Sequence, residues 1–247
     1  MAEADRVLGG EGSGSLSEAK RRLLERCLRG DQPPHARDAI TRRPEGAPIP
    51  LSYGQQLLWL HTQLAPDLPV YNEPITVHRK GPLDVLALER SLNEIVRRHE
   101  AWRTSFVTVD SRQFQAVHEA ATLTLPVVDL RTLPADEREA EALRLATEDA
   151  RRPFDLAHGP LLRAKLVRLG DEEHRLFMTL HHIIFDGVST YGVFLPELTA
   201  LYEAYSAGRP SPLPDLQIQY GDYAFGQRQK GKEGLSDAIA YWRDRLL

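Results

Sequence analysis

Cysteine is nearly absent, with one residue, Cys27, in a chain of 247. A single thiol forms no internal disulfide and leaves no cysteine framework for zinc. Cys27 falls on the apolar stripe of an expected helix, where a packed thiol is the simpler reading than a nucleophile. Long apolar runs are missing too. None approaches the roughly 18 to 20 residues that span a bilayer, and the opening "MAEADRVLGGEGSGS" has neither the basic flank nor the apolar core of a secretory signal. Positive charge is not in excess either: 31 Lys and Arg stand against 35 Asp and Glu, for a net charge of -4 and a pI near 6.2. Such a balance does not favour holding a phosphate backbone. The expectation is a cytoplasmic protein with neither membrane nor nucleic acid as partner.

What is present is the composition of an ordinary globular protein, 42% hydrophobic and 27% charged. The length allows one large domain or two small ones. Residues 1–14, ending in a Gly/Ser-rich stretch, read as a flexible leader with nothing to bury. Residues 15–30 read as a short amphipathic helix: Ser15 and Glu18 fit a capping box, Leu23, Leu24, Cys27 and Leu28 make the stripe, and Gly30 stops it. This helix either packs on a flank or serves as a docking or connector element. Residues 31–48, rich in proline and charge, read as a linker.

From Leu51 the patterns tighten. "LSYGQQLLWLHTQLAP" predicts a helix capped by Ser52, with Leu57, Leu58, Leu60 and Leu64 near one face. "PITVHRKGPL" predicts a strand, and Asp84 caps a helix through Leu88, Leu92, Ile95 and Val96. "RTSFVTVD" and "RQFQAVHEA" flank Asp110 and Ser111 as a hairpin. "TLTLPVVDL" predicts a strand and "ADEREAEALRLATEDARR" a helix with acidic residues at its positive end. "LLRAKLVRL" and "HRLFMTLHH" predict two strands joined through Gly170 and Asp171. Tyr191, Phe194, Leu195, Leu198, Leu201, Tyr202 and Tyr205 then keep a helical period until Gly208 and Pro210. The expected fold is α/β, of the α+β kind: a mixed sheet with helices packed on one face, in two layers.

The stretch "HHIIFDGVST" joins a strand to a helix. Leu176, Met178, Leu180 and His182 share one parity of the strand, and Phe177, Thr179 and His181 the other, so the two histidines point opposite ways. Three readings are open on chemistry alone. A metal site wants His182 and Asp186 at helical spacing, which a strand end does not give, and no third ligand is spaced nearby. Two structural histidines satisfied by backbone are the bland reading. The third is an acid/base or orienting histidine beside a carboxylate, with Gly187 allowing a tight bend before a helix N-terminus.

"HHIIFDG" resembles the HHxxxDG signature of the condensation domains of nonribosomal peptide synthetases, members of the chloramphenicol acetyltransferase-like acyltransferases. "LSYGQQLLWL", "RRHEAWRTSF" and "YGDYAFGQ" are similar to further motifs of that family, in the family's order, and "YNEP", "PFDLAHGPLLRAKL" and "YWRDRLL" have its look. Three positions depart from the pattern: Gly54 stands where Ala is usual, Leu57 where Arg is usual, and Gly226 where Trp is usual. Family domains are V-shaped pairs of similar lobes, and this chain has the length of one. The resemblance therefore implies an N-terminal lobe over 49–215, with 216–247 starting the crossing into a missing C-terminal lobe.

The resemblance further implies amide-bond formation between an upstream acyl or peptidyl thioester and the amine of a downstream aminoacyl thioester. Both are delivered on the phosphopantetheine arms of peptidyl or acyl carrier proteins, which with the missing lobe and adjacent synthetase domains are the expected partners. No cofactor or metal is expected to bind the chain directly. His182 is the implied catalytic residue, as base or as orienting group. His181, Asp186 and Gly187 complete the implied site: Asp186 as a buried carboxylate paired to Arg103, with Arg98 as the fallback, and Gly187 by its N–H and the room it leaves. For Ser189 a helix cap is one reading, behind a purely local structural role. Tyr71, Asn72 and Glu100 to Trp102 resemble subtypes working beside polyketide modules as well as ordinary ones. The starting Met favours a true start, with the donor arriving in trans. Two other functions stay open: a stand-alone acyltransferase or epimerising relative of the fold, and a module that docks carrier proteins without chemistry.

Overall fold

The computed structural model of the chain describes residues 39–231 and 233–246. The expected leader and amphipathic helix, with Cys27, lie outside the described residues. Thr41–Leu247 groups as one unit, in which local signals set most elements. Ser52 accepts from the N–H of Gln55 while the Gln55 side chain accepts from the N–H of Ser52, closing a capping box that starts helix α1 (Tyr53–Leu64). Asp84 does the same work from one side for α2 (Val85–Arg98), accepting from Ala87. The turn at Asp110 and Ser111 has positive φ at both residues, 48° and 62°, the left-handed pair that two-residue hairpins need. It joins β3 (Thr104–Val109) to β4 (Arg112–Val117), and β1 (Ile49–Pro50) completes a three-stranded antiparallel sheet in the order β1-β4-β3.

The larger sheet runs β2-β7-β6-β5, from β2 (Asn72–Lys80), β5 (Val127–Asp129), β6 (Leu162–Gly170) and β7 (Glu173–His181). Only β5 is parallel to its neighbour, so the sheet is mixed, as expected. The single helical layer is corrected to two. One parity of β6 and β7 (Leu162, Leu166, Leu176, Met178, Leu180) packs with α2 and with α4 (Leu195–Ser206) around Leu92, Ile95, Phe194 and Leu201. The other parity also carries apolar residues: Val167, Leu169 and Phe177 meet Ala142 and Leu145 of α3 (Ala135–Arg151). A central pair of strands that is apolar on both faces is covered on both.

Two further expectations change. Of "TLTLPVVDL" only Val127–Asp129 is strand. On α1, the leucines expected to share a face split: Leu58 packs against the core, whereas Leu57, Leu60 and Leu64 are exposed and Gln55 is buried instead. Gln55 is held there by donating to the carbonyl of Ile183, next to the histidine pair. The expected linker is anchored at its end. Arg43 pairs with Asp222 and Glu100, each at 2.8 Å, and Arg42 donates to the carbonyl of Gln217. Asp222 opens α5 (Tyr220–Lys230), whose Arg228 reaches back to the carbonyl of Leu51; α6 (Glu233–Leu246) follows. Among the described residues no helix is long and apolar enough to cross a membrane.

Candidate functional site

β7 ends on His181, and the chain turns at once. The N–H of Ile184 donates to the carbonyl of His181 at 3.0 Å, and the N–H of His182 donates to the carbonyl of Tyr71 at 2.7 Å. The two rings lie on opposite sides, as strand parity requires. His181 pairs with Asn72 across the ladder and faces the α3 side, where Asn72 clamps the carbonyls of Ala150 and Arg152. Its ring is 4% exposed, edge-on to Phe154, and Nδ1 accepts from the N–H of Ile183 at 3.1 Å. Burial, and then the neighbouring His182, push its pKa down to about 4. His181 is thus a neutral, enclosed ring with its proton on Nε2, built to hold the turn.

His182 is only partly enclosed. Its Nδ1 is buried and lacks an aligned hydrogen bond among the described residues. The carboxylate of Glu73 stands 3.3 Å from that atom. With Nδ1 covered, the side chain as a whole is still 36% exposed. An imidazole presented this way can accept a proton from, or orient, a group arriving from outside.

Asp186 departs from expectation. It is exposed rather than buried, and neither Arg103 nor Arg98 meets it. Arg103 lies on the 3-10 turn Glu100–Arg103, whose direction sends its guanidinium to the carbonyl of His118. Arg98, in the last turn of α2, faces α4, where it pairs with Glu197 at 3.3 Å and donates to the carbonyl of Pro214. Asp186 instead caps the helical run that follows it. Its Oδ1 accepts from the N–H of Ser189 at 2.7 Å, so Ser189 is donor to the cap rather than the cap itself. Those hydrogen bonds, and then the nearby His182, hold the carboxyl below the usual carboxylate range. The run itself proceeds through a helical turn (Gly187–Ser189) and a π segment (Thr190–Phe194) into α4. Gly187 does not have positive φ, and a Cβ there would meet nothing within 4 Å. Backbone geometry does not demand glycine, then, and the space over it is open.

Aromatic packing fixes the turn from below. Trp102 is T-shaped on Phe185, with ring centroids 5.7 Å apart, and tilted on Phe194 at 5.5 Å. Tyr71 bonds His61 through its hydroxyl. Glu100 and Trp102 therefore have structural work here, and Gly226, like Gly187, faces open space. Sequence reasoning missed Glu73. The signal was there: Glu73, Ile75 and Val77 alternate, which puts a carboxylate in step with two apolar residues. A cleft of about 650 Å³ between Ser105, His118 and the first residues of β6 does not include His182. Among the described residues no group of three or more His, Cys, Asp or Glu gathers as a metal site.

A family model described as "Condensation domain" matches residues 47–247. One of the linear gramicidin synthase subunits of Brevibacillus parabrevis is 48% identical over 202 residues, which cover 81% of this chain and 4% of that protein. Phosphinothricin tripeptide synthetase PhsC of Streptomyces viridochromogenes is 42% identical over 234 residues, 94% of this chain and 22% of that one. Among solved structures, the X-domain from teicoplanin biosynthesis is 30% identical with a TM-score of 0.73, covering 83% of this chain and 45% of its own. The starter condensation domain of rhizomide synthetase RzmA has the same fold, with a TM-score of 0.73 at 23% identity over 81% of this chain and 48% of that one. The chain spans less than half of these solved relatives and a small part of the curated ones.

Proposed function

The chain belongs to the condensation-domain family of the nonribosomal peptide synthetases, and from that premise we propose that it is the N-terminal lobe of such a domain and carries the histidine of an amide-forming site. Condensation domains act on carrier-bound phosphopantetheinyl thioesters. In this reading an upstream carrier brings the acyl or peptidyl thioester and a downstream carrier the amine. The amine adds to the thioester carbon, a C–N bond forms as the C–S bond breaks, and the amine's proton ends on the departing sulfur. His182 accepts or orients that proton through Nε2. His181 and Asp186 hold the turn that presents it, and the open space over Gly187 leaves room for a pantetheine arm. Residues 49–215 are the lobe and 216–247 lead toward a second one, which supplies the opposite wall of the site. The lobe alone is therefore inactive.

The observation that carries this reading is the partly exposed imidazole of His182 at a strand end, with Nδ1 enclosed beside Glu73. A second reading, a docking module without chemistry, has the exposed Val188 and Tyr191 beside the site in its favour, and one solved relative is a complex of an X-domain with OxyB. Intact-protein mass spectrometry of both loaded carriers, mixed with this chain or with the chain extended by a second lobe, separates the two. Amide product from the extended form alone supports the lobe; carrier binding with no product from either form favours docking.

A further inference from the structure

Glu73 is acidic where the strand pattern calls for an apolar residue. On β2 it shares a face with Ile75 and Val77, which pack against the core, and its cross-strand partner Leu180 is fully buried. Paired residues of an antiparallel ladder point to the same side. The next position on that side beyond Leu180 is His182, and the Oε1 of Glu73 lies 3.3 Å from its Nδ1. That nitrogen is buried without an aligned partner. Among the described residues no other ion pair engages Glu73, so its carboxylate is free to turn toward the ring.

We propose that Glu73 is a positioning residue for His182, an inference that rests on the amide-forming reading above. A carboxylate beside Nδ1 holds the imidazole as the Nδ1–H tautomer, leaving the lone pair on Nε2 for the incoming amine. When the amine adds to the thioester carbon its proton passes to Nε2, and the imidazolium so formed has its second N–H against a carboxylate. As the C–S bond breaks, the Nε2 proton passes to the thiolate, and both residues return to their starting states. Glu73 touches neither substrate. Neutralising the buried carboxylate that orients the histidine of a serine protease triad costs about 10⁴ in kcat. Glu73 is 42% exposed in its side chain, so solvent screening reduces the expected loss to about 10- to 100-fold.

The test uses the full synthetase that contains this chain, with both carriers loaded, in four forms: wild type, Glu73→Gln, Glu73→Asp and His182→Ala. It is joined to ¹⁵N spectra of the His182 imidazole in wild type and Glu73→Gln. The expected result is a kcat about 10- to 100-fold lower for Glu73→Gln with KM for the downstream carrier within about threefold, partial recovery in Glu73→Asp, and loss of the Nδ1–H signature in Glu73→Gln. A wild-type ring protonated on Nε2 overturns the proposal without any variant. If His182→Ala abolishes condensation while Glu73→Gln keeps wild-type kcat and tautomer, the positioning role fails and the amide-forming reading stands. If His182→Ala keeps the wild-type rate, both fall.

Discussion

Asp186 offers the sharpest test of the geometry, because two arrangements of the same carboxylate differ in energy by more than an experiment's error. In this structure it is exposed and accepts its hydrogen bond from the N–H of Ser189. Losing such a cap costs about 1 kcal/mol, and asparagine, which caps as well, costs only a few tenths. A carboxylate buried against Arg103 would behave differently: removing one partner of a buried pair costs about 3–5 kcal/mol. Urea unfolding of Asp186→Ala, Asp186→Asn, Arg103→Ala and the Asp186→Ala/Arg103→Ala double variant distinguishes them. The expected outcome is about 1 kcal/mol for Asp186→Ala, seen in a thermal scan as roughly 2–4 °C, with Asp186→Asn near wild type. The coupling between Asp186 and Arg103 is expected below about 0.5 kcal/mol, as for residues with no shared partner. A coupling above about 1.5 kcal/mol, or an Asp186→Asn variant as costly as a broken buried pair, would refute the cap.

Other perturbations follow from the same contacts. His181 has a folded pKa near 4 against an ordinary value of 6.5, so below pH 6.5 the unfolded chain binds a proton that the folded one refuses. Its contribution is whole above about pH 6.5 and is lost as pH falls toward 4, on the order of 3 kcal/mol. Across that window the unfolding free energy of wild type should fall by this amount more than that of His181→Gln; parallel profiles would contradict the buried neutral ring. Arg43→Ala strips the enclosed Asp222 of its cation and should cost about 2–3 kcal/mol, between the exposed and buried limits, by urea titration. At Gly221 a methyl would meet the Arg43 guanidinium at 3.0 Å and Ile49 at 3.1 Å. Gly221→Ala should therefore cost about 1–3 kcal/mol as overpacking, and a neutral result would mean that the Arg43 side chain gives way freely.

Local chemistry was the most legible part of the sequence. The Ser52 cap, the Asp84 cap and the Asp110–Ser111 turn depend on residues within three or four positions of one another, and each is where the pattern puts it. The opposed histidines were legible for the same reason, since strand parity is a local rule. Long-range partners were not. Nothing local says that Arg98 meets Glu197 on α4 while Arg103 turns toward His118, or that Asp186 keeps to its own helix. The outward leucines of α1 misled because an apolar stripe does not say which neighbour it meets, and here Gln55 takes the buried position by bonding the Ile183 carbonyl. The second helical layer was readable in principle from Val167 and Leu169, which make β6 apolar on both parities. Glu73 was readable too, as a carboxylate in step with Ile75 and Val77, though only the fold shows that it meets His182.

Chemistry through the outward imidazole of His182 is the claim on which the rest depends. It is tested most directly by single-turnover transfer between two loaded carriers, followed by mass spectrometry of the downstream carrier, in the full synthetase with His182 intact or replaced by alanine. The predicted result is a loss of at least about 10²-fold for His182→Ala, the low end for a positioned acid/base group, with carrier binding and thermal stability kept. A rate within about tenfold of wild type would contradict it and leave His182 as one more residue of the turn.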